Sequence, residues 1–309
     1  MTMSKEGRAP FSYPGLPSEA FTWYKICGDL STSSTGRPLV VIHGGPGMGH
    51  NYLANLKNLS TEYKIPVVLY DQFGCGKSTH FREKRLDTAF WTPELFITEL
   101  DNLLEHLGIA GDFDLLGQSW GGMLGAMFAI RGHKGLKRLV ISNSPSSMEL
   151  WVESCNEWRK QLPEDVEKAL QKHEKDKTYD DPEYKWAVEE FYKRHVCRIY
   201  PFPKDLVDTM ANVEEDDTVY YTMNGPSEFT VVGSLKTWSI VDEVHKITVP
   251  CLVLNGEWDE GRDSCVYPYF SGIPKVKWYT FPNAAHCSNL DVPEHYMSVV
   301  AQFLKSQTA

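Results

Sequence analysis

The stretch Leu115-Leu116-Gly117-Gln118-Ser119-Trp120-Gly121-Gly122 decides the fold of this chain. An apolar run at 113–116 leads into it, and an apolar, alanine-rich segment at 123–130 follows it. This pattern predicts a strand, a very sharp turn and a helix, with Ser119 at the turn. Because such a turn strains the backbone of the serine, its neighbours must be small, and Gly117 and Gly121 meet that need. The arrangement is typical of a serine nucleophile and predicts partner residues later in the chain.

Length and composition limit the class of protein. The chain has 309 residues, 42% hydrophobic and 12% aromatic, which suits one large α/β domain carrying an insertion. A formal net charge of −10 would repel phosphates, so we expect no nucleic-acid and no membrane partner. The sequence has no apolar run of 18 residues and no signal-peptide core at 1–10. Seven cysteines without metal-ligand spacing predict free thiols, no metal and a cytoplasmic protein. No pattern indicates an oligomeric state.

Strand and helix patterns alternate along most of the chain. Strands are predicted at 20–30, 38–42, 66–70, 113–116, 136–142, 248–254 and 276–281, helices at 93–107, 123–130 and 293–305, and a polar turn at 31–36. This alternation predicts an α/β fold with a mostly parallel, doubly wound sheet. Between 145 and 238 charged and aromatic residues replace the strand pattern. We therefore expect a core domain at 1–144 and 239–309, and a mainly helical cap domain at 145–238.

A serine nucleophile needs a base that removes its proton and an acid that orients the base. Asp259 follows the predicted strand at 248–254, and His286 follows the next one. Three further carboxylates near Asp259 are alternatives for the acid: Glu257, Glu260 and Asp263. The order Ser119, Asp259, His286 is the one required when a serine sits at such a strand-to-helix turn. We therefore predict these three residues as the catalytic triad.

Attack on a carbonyl also needs N–H donors for the developing oxyanion. One predicted donor is the backbone N–H of Trp120, directly after the nucleophile. The other comes from the loop His43-Gly44-Gly45-Pro46-Gly47, in which we select Gly45. The alternative is that this cluster is only a tight strand-to-helix loop. We expect His43 to shape the loop rather than to act as a base.

These motifs resemble the α/β-hydrolase fold and, within it, the proline iminopeptidases of peptidase family S33. The matching segments are His43-Gly44-Gly45-Pro46-Gly47, Asp71-Gln72-Phe73-Gly74-Cys75-Gly76-Lys77-Ser78, Gly117-Gln118-Ser119-Trp120-Gly121-Gly122, Met223-Asn224-Gly225-Pro226-Ser227-Glu228-Phe229 and Gly256-Glu257-Trp258-Asp259-Glu260. The segment around Glu228 is the most specific, since the hydrolase fold itself does not require it. The resemblance implies an aminopeptidase that releases an N-terminal residue, often proline, from short peptides, amides or arylamides, without a cofactor.

The resemblance also implies recognition of a free amine in a small-molecule or short-peptide substrate. By similarity, Glu228 and Glu260 bind the ammonium group, and Gly44 belongs to the substrate site. The alternative for each glutamate is a solvated surface carboxylate. Four aromatic residues of the cap are candidates either for a side-chain pocket or for the core of the cap: Trp151, Trp158, Tyr192 and Trp238.

Two residues depart from the family pattern. Phe73 replaces the usual arginine, which removes an expected ion pair, so the resemblance does not predict the geometry of this loop. Gln118 stands where many members have glycine. Relatives in this branch include amino-acid amidases and biosynthetic hydrolases, so the resemblance does not predict which side chain is preferred.

Two alternative functions remain. One is a small-molecule esterase, amidase or tailoring hydrolase of secondary metabolism with the same triad. The other is a non-catalytic ligand-binding hydrolase fold, which an intact triad argues against.

Overall fold

A computed structural model describes residues 4–16, 19–30 and 36–306, and within them eight strands form one sheet. The strands are β1 Ser4–Phe11, β2 Ala20–Cys27, β3 Leu39–Ile42, β4 Val67–Asp71, β5 Phe113–Gln118, β6 Leu136–Ser142, β7 Cys251–Gly256 and β8 Val276–Phe281. Their order is β1-β2-β4-β3-β5-β6-β7-β8. The pairs β1–β2 and β2–β4 are antiparallel, and every other pair is parallel. The predicted fold class, a mostly parallel, doubly wound sheet, is confirmed.

Helices cover both faces of this sheet. Those of the core are α1 Asn58–Tyr63, α2 Pro93–His106, α3 Trp120–Ile130, α9 Asp263–Gly272, α10 Ser288–Asp291 and α11 Pro293–Lys305, and a 3-10 helix spans Asn51–Lys57. Alternate residues of a strand point to opposite faces, so Val40 and Ile42 pack in one apolar cluster and Leu39 and Val41 in another. Because both faces are buried, the central strands read as continuous apolar runs.

The cap interval at 145–238 contains helices but no sheet strand. Its helices are α4 Met148–Arg159, α5 Glu164–Asp176, α6 Pro182–His195, α7 Lys204–Glu215 and α8 Thr218–Met223. Helix α8 lies against the glycine loop of the core, since a Cβ atom added at Gly47 would lie 3.0 Å from the Cβ atom of Val219. The boundaries of the two predicted domains stay a prediction.

Some elements differ from the sequence prediction. Strand β1 was not predicted, because most of its residues are exposed at the antiparallel edge of the sheet and only Ala9 and Phe11 are buried. Helix α9 was also not predicted, and it contains a proline, Pro268. The strand predicted at 20–30 ends at Cys27, and the one predicted at 248–254 begins at Cys251. The polar turn predicted at 31–36 lies, except for Gly36, outside the described residues. In the described part of the chain no helix is long and apolar enough to cross a membrane.

Phe73, which stands in place of the family arginine, is fully buried in an aromatic cluster. Its ring packs against those of Phe11, Phe81 and Trp91, at centroid distances of 5.5, 5.1 and 6.0 Å. Its backbone N–H donates to Glu99 Oε2 at 3.0 Å. The loop after β4 is therefore held by aromatic packing and a backbone hydrogen bond to a buried carboxyl group.

Candidate active site

Ser119 lies at the turn between β5 and α3 and has a strained backbone, with φ of 56° and ψ of −124°. A Cβ atom at Gly117 would overlap the carbonyl group of Gly121, and one at Gly121 would overlap the carbonyl group of Ile42. Glycine is therefore required on both sides of the serine, as the sharp turn predicts. The Ser119 N–H donates to the Ser142 carbonyl at 2.9 Å, which fixes the turn to the end of β6.

Asp259 follows β7 and His286 follows β8, and both are buried. His286 Nδ1 lies 2.8 Å from Asp259 Oδ1, which also accepts from the Gly261 N–H at 2.9 Å. The neighbouring carboxylates have other partners: Glu257 accepts from the Asn283 N–H, and Asp263 accepts from Asn255 Nδ2. Asp259 is thus the carboxylate with the geometry to orient the histidine.

Asn143 was not identified from the sequence, although it lies at the end of β6 beside Asp259. Its Nδ2 donates to Asp259 Oδ2 at 2.7 Å and to Ser288 Oγ at 3.0 Å. Its Oδ1 accepts from Ser142 Oγ at 2.8 Å. Its position after a predicted strand could have identified it, because functional side chains of open α/β sheets gather at the carboxyl ends of the strands.

His286 Nε2 lies 3.7 Å from Glu260 Oε1, and the ring of His286 meets that of Trp151 edge-on at 5.3 Å. Among the described residues, no hydrogen bond joins Ser119 to the histidine. Catalytic hydrogen bonds of this kind often tighten only in the substrate complex. His286 and Asp259 thus have the predicted contact, and the catalytic triad of Ser119, Asp259 and His286 as a whole stays a prediction.

The glycine loop after β3 approaches the serine closely. Gly45, with φ of 113°, lines the same cavity as Ser119 and Trp120. Within the described ranges, the backbone N–H groups of Gly45 and Trp120 donate to no protein acceptor. Gly44 is different, because its N–H donates to Tyr52 Oη at 2.8 Å. The Gly44 amide is therefore occupied by Tyr52, and the substrate contact predicted for Gly44 stays a prediction.

His43 is fully buried beneath this loop, and burial lowers its pKa to about 4. Its Nε2 accepts from the Gln72 N–H at 2.9 Å, and its Nδ1 lies 2.9 Å from the Gly44 carbonyl oxygen and 3.3 Å from the Gly49 nitrogen. A neutral histidine with both nitrogens engaged shapes the loop and is not available as a base.

The cavity in front of Ser119 is small and mainly apolar. Its lining includes Met123, Pro145, Met148, Trp151, Leu235, Asn224 and Glu228. Of the four candidate aromatics, Trp151 lines this cavity. Two others support the site from behind: Trp158 Nε1 donates to the Asp259 carbonyl at 2.7 Å, and Tyr192 Oη accepts from the Glu228 N–H at 3.4 Å. The fourth, Trp238, points its Nε1 at the sulfur of Met127.

Glu228 and Glu260 are both buried, with 7% and 0% of their surface exposed, so neither is a solvated surface carboxylate. Glu228 Oε1 accepts from Tyr220 Oη at 2.6 Å, whereas neither carboxyl oxygen of Glu260 has a hydrogen-bond partner among the described residues. Burial raises the pKa of Glu228, and burial together with the charges of Glu228 and Asp259 raises that of Glu260 well above its usual range. A buried carboxyl without a donor is costly, which makes Glu260, together with the nearby Glu228, suited to bind a cation.

Outside the cavity, the described residues include one group whose side-chain atoms lie close enough together to bind a metal ion: His173, Asp181 and Glu183. Asp181 and Glu183 are exposed, and Lys172 Nζ lies 2.5 Å from Glu183 Oε2. A lysine ammonium on one of the three ligands disfavours a second cation there, so we assign no metal site to this group.

Known proteins similar to this chain cover nearly its whole length. A family model described as the alpha/beta hydrolase fold matches residues 37–293. A proline iminopeptidase of Heyndrickxia coagulans is 35% identical over 271 residues, which are 88% of this chain and 91% of that protein. The crystal structure of VinJ has a TM-score of 0.91 at 44% identity and covers 97% of this chain and 98% of its own. That of a proline iminopeptidase of Mycobacterium smegmatis has a TM-score of 0.87 at 44% identity, covering 96% and 97%.

Proposed function

Since this chain belongs to the α/β-hydrolase fold family, in its proline iminopeptidase branch, we propose that it is a serine aminopeptidase. It releases an N-terminal proline or another apolar residue from short peptides or amino-acid amides. The observation that carries this proposal is the buried carboxyl pair of Glu228 and Glu260 beside His286, with both oxygens of Glu260 unpartnered in the described structure. Such a pair fits the free ammonium group that an aminopeptidase must recognise.

In the proposed reaction, Ser119 Oγ attacks the scissile carbonyl and His286 Nε2 takes the serine proton. Asp259 holds the imidazole through Nδ1 and stabilises its charged form. The N–H groups of Trp120 and Gly45 stabilise the oxyanion. The imidazolium then passes its proton to the leaving amine, which departs as the acyl-enzyme forms. Water, deprotonated by His286, cleaves the ester and releases the amino acid.

Charge and an apolar lining together select the N-terminal residue. The ammonium group pairs with Glu228 and Glu260, and this pairing is strong because the site is buried. Met123, Met148 and Leu235 line the cavity in front of Ser119. This apolar lining favours an apolar side chain in the residue that is released.

A second candidate is a small-molecule amide or ester hydrolase of secondary metabolism with the same triad. The similarity to VinJ supports this second candidate, because VinJ and the Mycobacterium smegmatis enzyme have the same 44% identity to this chain. The requirement for a free amine separates the two candidates.

A cytoplasmic location is also part of the proposal, supported by seven buried, free cysteines.

The test compares prolyl p-nitroanilide with its N-acetylated form. We expect kcat/KM to fall by about 10²-fold or more on acetylation, because the acetyl group removes the ammonium charge. Ser119→Ala should lower turnover by about 10⁴-fold or more. Equal rates on the two substrates would overturn the aminopeptidase assignment in favour of the second candidate, and full activity of Ser119→Ala would overturn the mechanism.

The carboxyl pair is tested with Glu260→Gln against a matched control, Glu257→Gln. Glu257 is exposed on the same loop and accepts only a backbone N–H in the described structure. We expect Glu260→Gln to raise KM for prolyl p-nitroanilide by about 10- to 100-fold and Glu257→Gln to leave it within twofold. An unchanged KM in the well-folded Glu260→Gln variant would contradict the assignment.

A further inference from the structure

Gln118 directly precedes the nucleophile, and its side chain is buried behind the serine rather than in the substrate cavity. Its Nε2 donates to the His286 carbonyl at 3.2 Å, and its Oε1 accepts from Tyr52 Oη. Many members of the family have glycine at this position and so have no side chain to make these contacts.

The donor and acceptor roles of these groups allow a single arrangement of the hydrogen bonds. Tyr52 Oη accepts the Gly44 N–H at 2.8 Å, so its own proton goes to Gln118 Oε1. Gln118 then presents Nε2 to the His286 carbonyl, which can only accept. Burial raises the pKa of the Tyr52 phenol well above its usual range, which keeps its O–H available as a donor. Such chains of hydrogen bonds strengthen one another in a buried site.

Tyr52 is itself held by two other parts of the molecule. Its N–H donates to Thr209 Oγ1 of cap helix α7 at 3.0 Å. Its carbonyl accepts from Asn289 Nδ2 of α10 at 2.8 Å. The backbone of Tyr52, from which the phenol group projects, is therefore held by the cap and by α10.

The glycine loop rests directly on these two side chains. A Cβ atom at Gly44 would lie 2.8 Å from Tyr52 Oη, 2.9 Å from Gln118 Oε1 and 3.0 Å from Ser119 Cβ. Because Gly45 follows Gly44 directly, the position of its N–H depends on this support. Of these two side chains, Gln118 also contacts the backbone of His286.

We propose that Gln118 and Tyr52 are positioning residues that hold the oxyanion loop at Gly45 and the histidine loop at His286 in fixed relation across Ser119. This inference rests on the catalytic roles proposed above. Neither side chain touches substrate. Loss of the bridge therefore lowers the rate of the chemical step and leaves substrate binding almost unchanged.

The experiment measures kcat and KM of Tyr52→Phe, Gln118→Met and the double variant on prolyl p-nitroanilide. We expect each single variant to lower kcat by about 10- to 100-fold with KM within twofold. The double variant should lose no more than about the larger single effect, because either change breaks the same chain. Tyr24→Phe, which removes a phenol group that contacts His106 far from the site, is the control and should keep wild-type kcat.

Two further measurements separate positioning from loss of structure. Titration with a fluorophosphonate counts the folded, reactive sites, and kcat is expressed per reactive site. Gln118→Gly, the residue of many family members, is the second variant if Gln118→Met does not fold, and the same loss in kcat is expected. An unchanged kcat per site, or fully multiplicative losses in the double variant, would overturn the proposal.

A second substrate, p-nitrophenyl acetate, makes the result independent of amine recognition. The bridge variants should lose about the same factor on this ester, even if the assignment of Glu228 and Glu260 is wrong. If instead wild type and Ser119→Ala hydrolyse both substrates equally, the proposed function fails. A loss confined to the amine substrate would overturn the bridge alone.

Discussion

At the scale of single residues, Asp259 owes its orientation to a side chain from another strand. Asn143 has a positive φ of 50° and directs Nδ2 at Asp259 Oδ2. The backbone conformation and the amide group are two separate properties of this residue. Glycine preserves the first, since it adopts positive φ without strain, and removes the second.

We therefore expect Asn143→Gly to lower kcat/KM on prolyl p-nitroanilide by about 10-fold, because Asp259 loses a charge-assisted hydrogen bond that fixes its orientation. KM should change less than kcat. Lys177→Gly is the matched control, because Lys177 also has a positive φ, 55°, at the end of α5 and lies outside the site. Equal effects of the two substitutions would show that the amide group has no role.

At the scale of elements, ion pairs join the core loop before α2 to the cap segment between α7 and α8. Arg85 binds both carboxylate oxygens of Asp217 at 2.7 Å, and His80 Nδ1 lies 2.5 Å from Asp216 Oδ2. Helix α8 follows directly and carries Tyr220, the partner of Glu228. These pairs therefore orient the cap segment that supplies one of the proposed amine ligands.

Removing one such pair should have a modest effect, because exposed ion pairs contribute about 0–1 kcal/mol. We expect Arg85→Met to raise KM about two- to fivefold and to weaken its dependence on salt concentration between 0.05 and 0.5 M, roughly the range over which surface pairs become screened. Arg131→Met, which removes an exposed pair with Glu94 within the core, should leave KM unchanged. The same KM shift in both variants would contradict a role of the core–cap pairs.

At the scale of the whole molecule, Glu99 links stability to pH. It is fully buried, accepts from Thr22 Oγ1 at 2.5 Å and from the Phe73 N–H, and its pKa is raised by burial from 4.5 to about 8. The folded protein thus keeps a proton that the unfolded chain releases between these two values. The free energy of unfolding therefore falls as pH rises through this window and levels off above it.

Glu99→Gln removes this ionisation and should gain stability relative to wild type as pH increases from 5 to 8. The slope is at most about 1.4 kcal/mol per pH unit, and a total near 2 kcal/mol or more is expected. Urea unfolding at both pH values measures it. Glu105→Gln, an exposed change on the same helix, should show no such trend. A stability difference that is independent of pH would contradict the prediction.

Local patterns predicted several elements with their bounds. The strand at 136–142 and the helix at 293–305 have the predicted bounds, because burial of most of the strand and of one stripe of the helix leaves a clear pattern. The strand at 276–281 also has the predicted bounds, although Phe281 is its one buried residue. Strand β1 was missed because an edge strand is half exposed and mixes charged with apolar residues. The order Ser119, Asp259, His286 also came from local information, namely a turn motif and the ends of strands.

The fold class, the sharp turn at Ser119 and the candidates for acid and base could all be predicted from the amino-acid sequence, since each depends on neighbouring residues. Three features became known from the folded chain: Tyr52 occupies the Gly44 amide, Asn143 binds Asp259, and both amine-binding candidates are buried. These contacts join residues far apart in the chain, 168 positions apart for Gln118 and His286. Periodicity and turn chemistry act over a few residues, so partners that meet only through chain packing leave no local pattern to read.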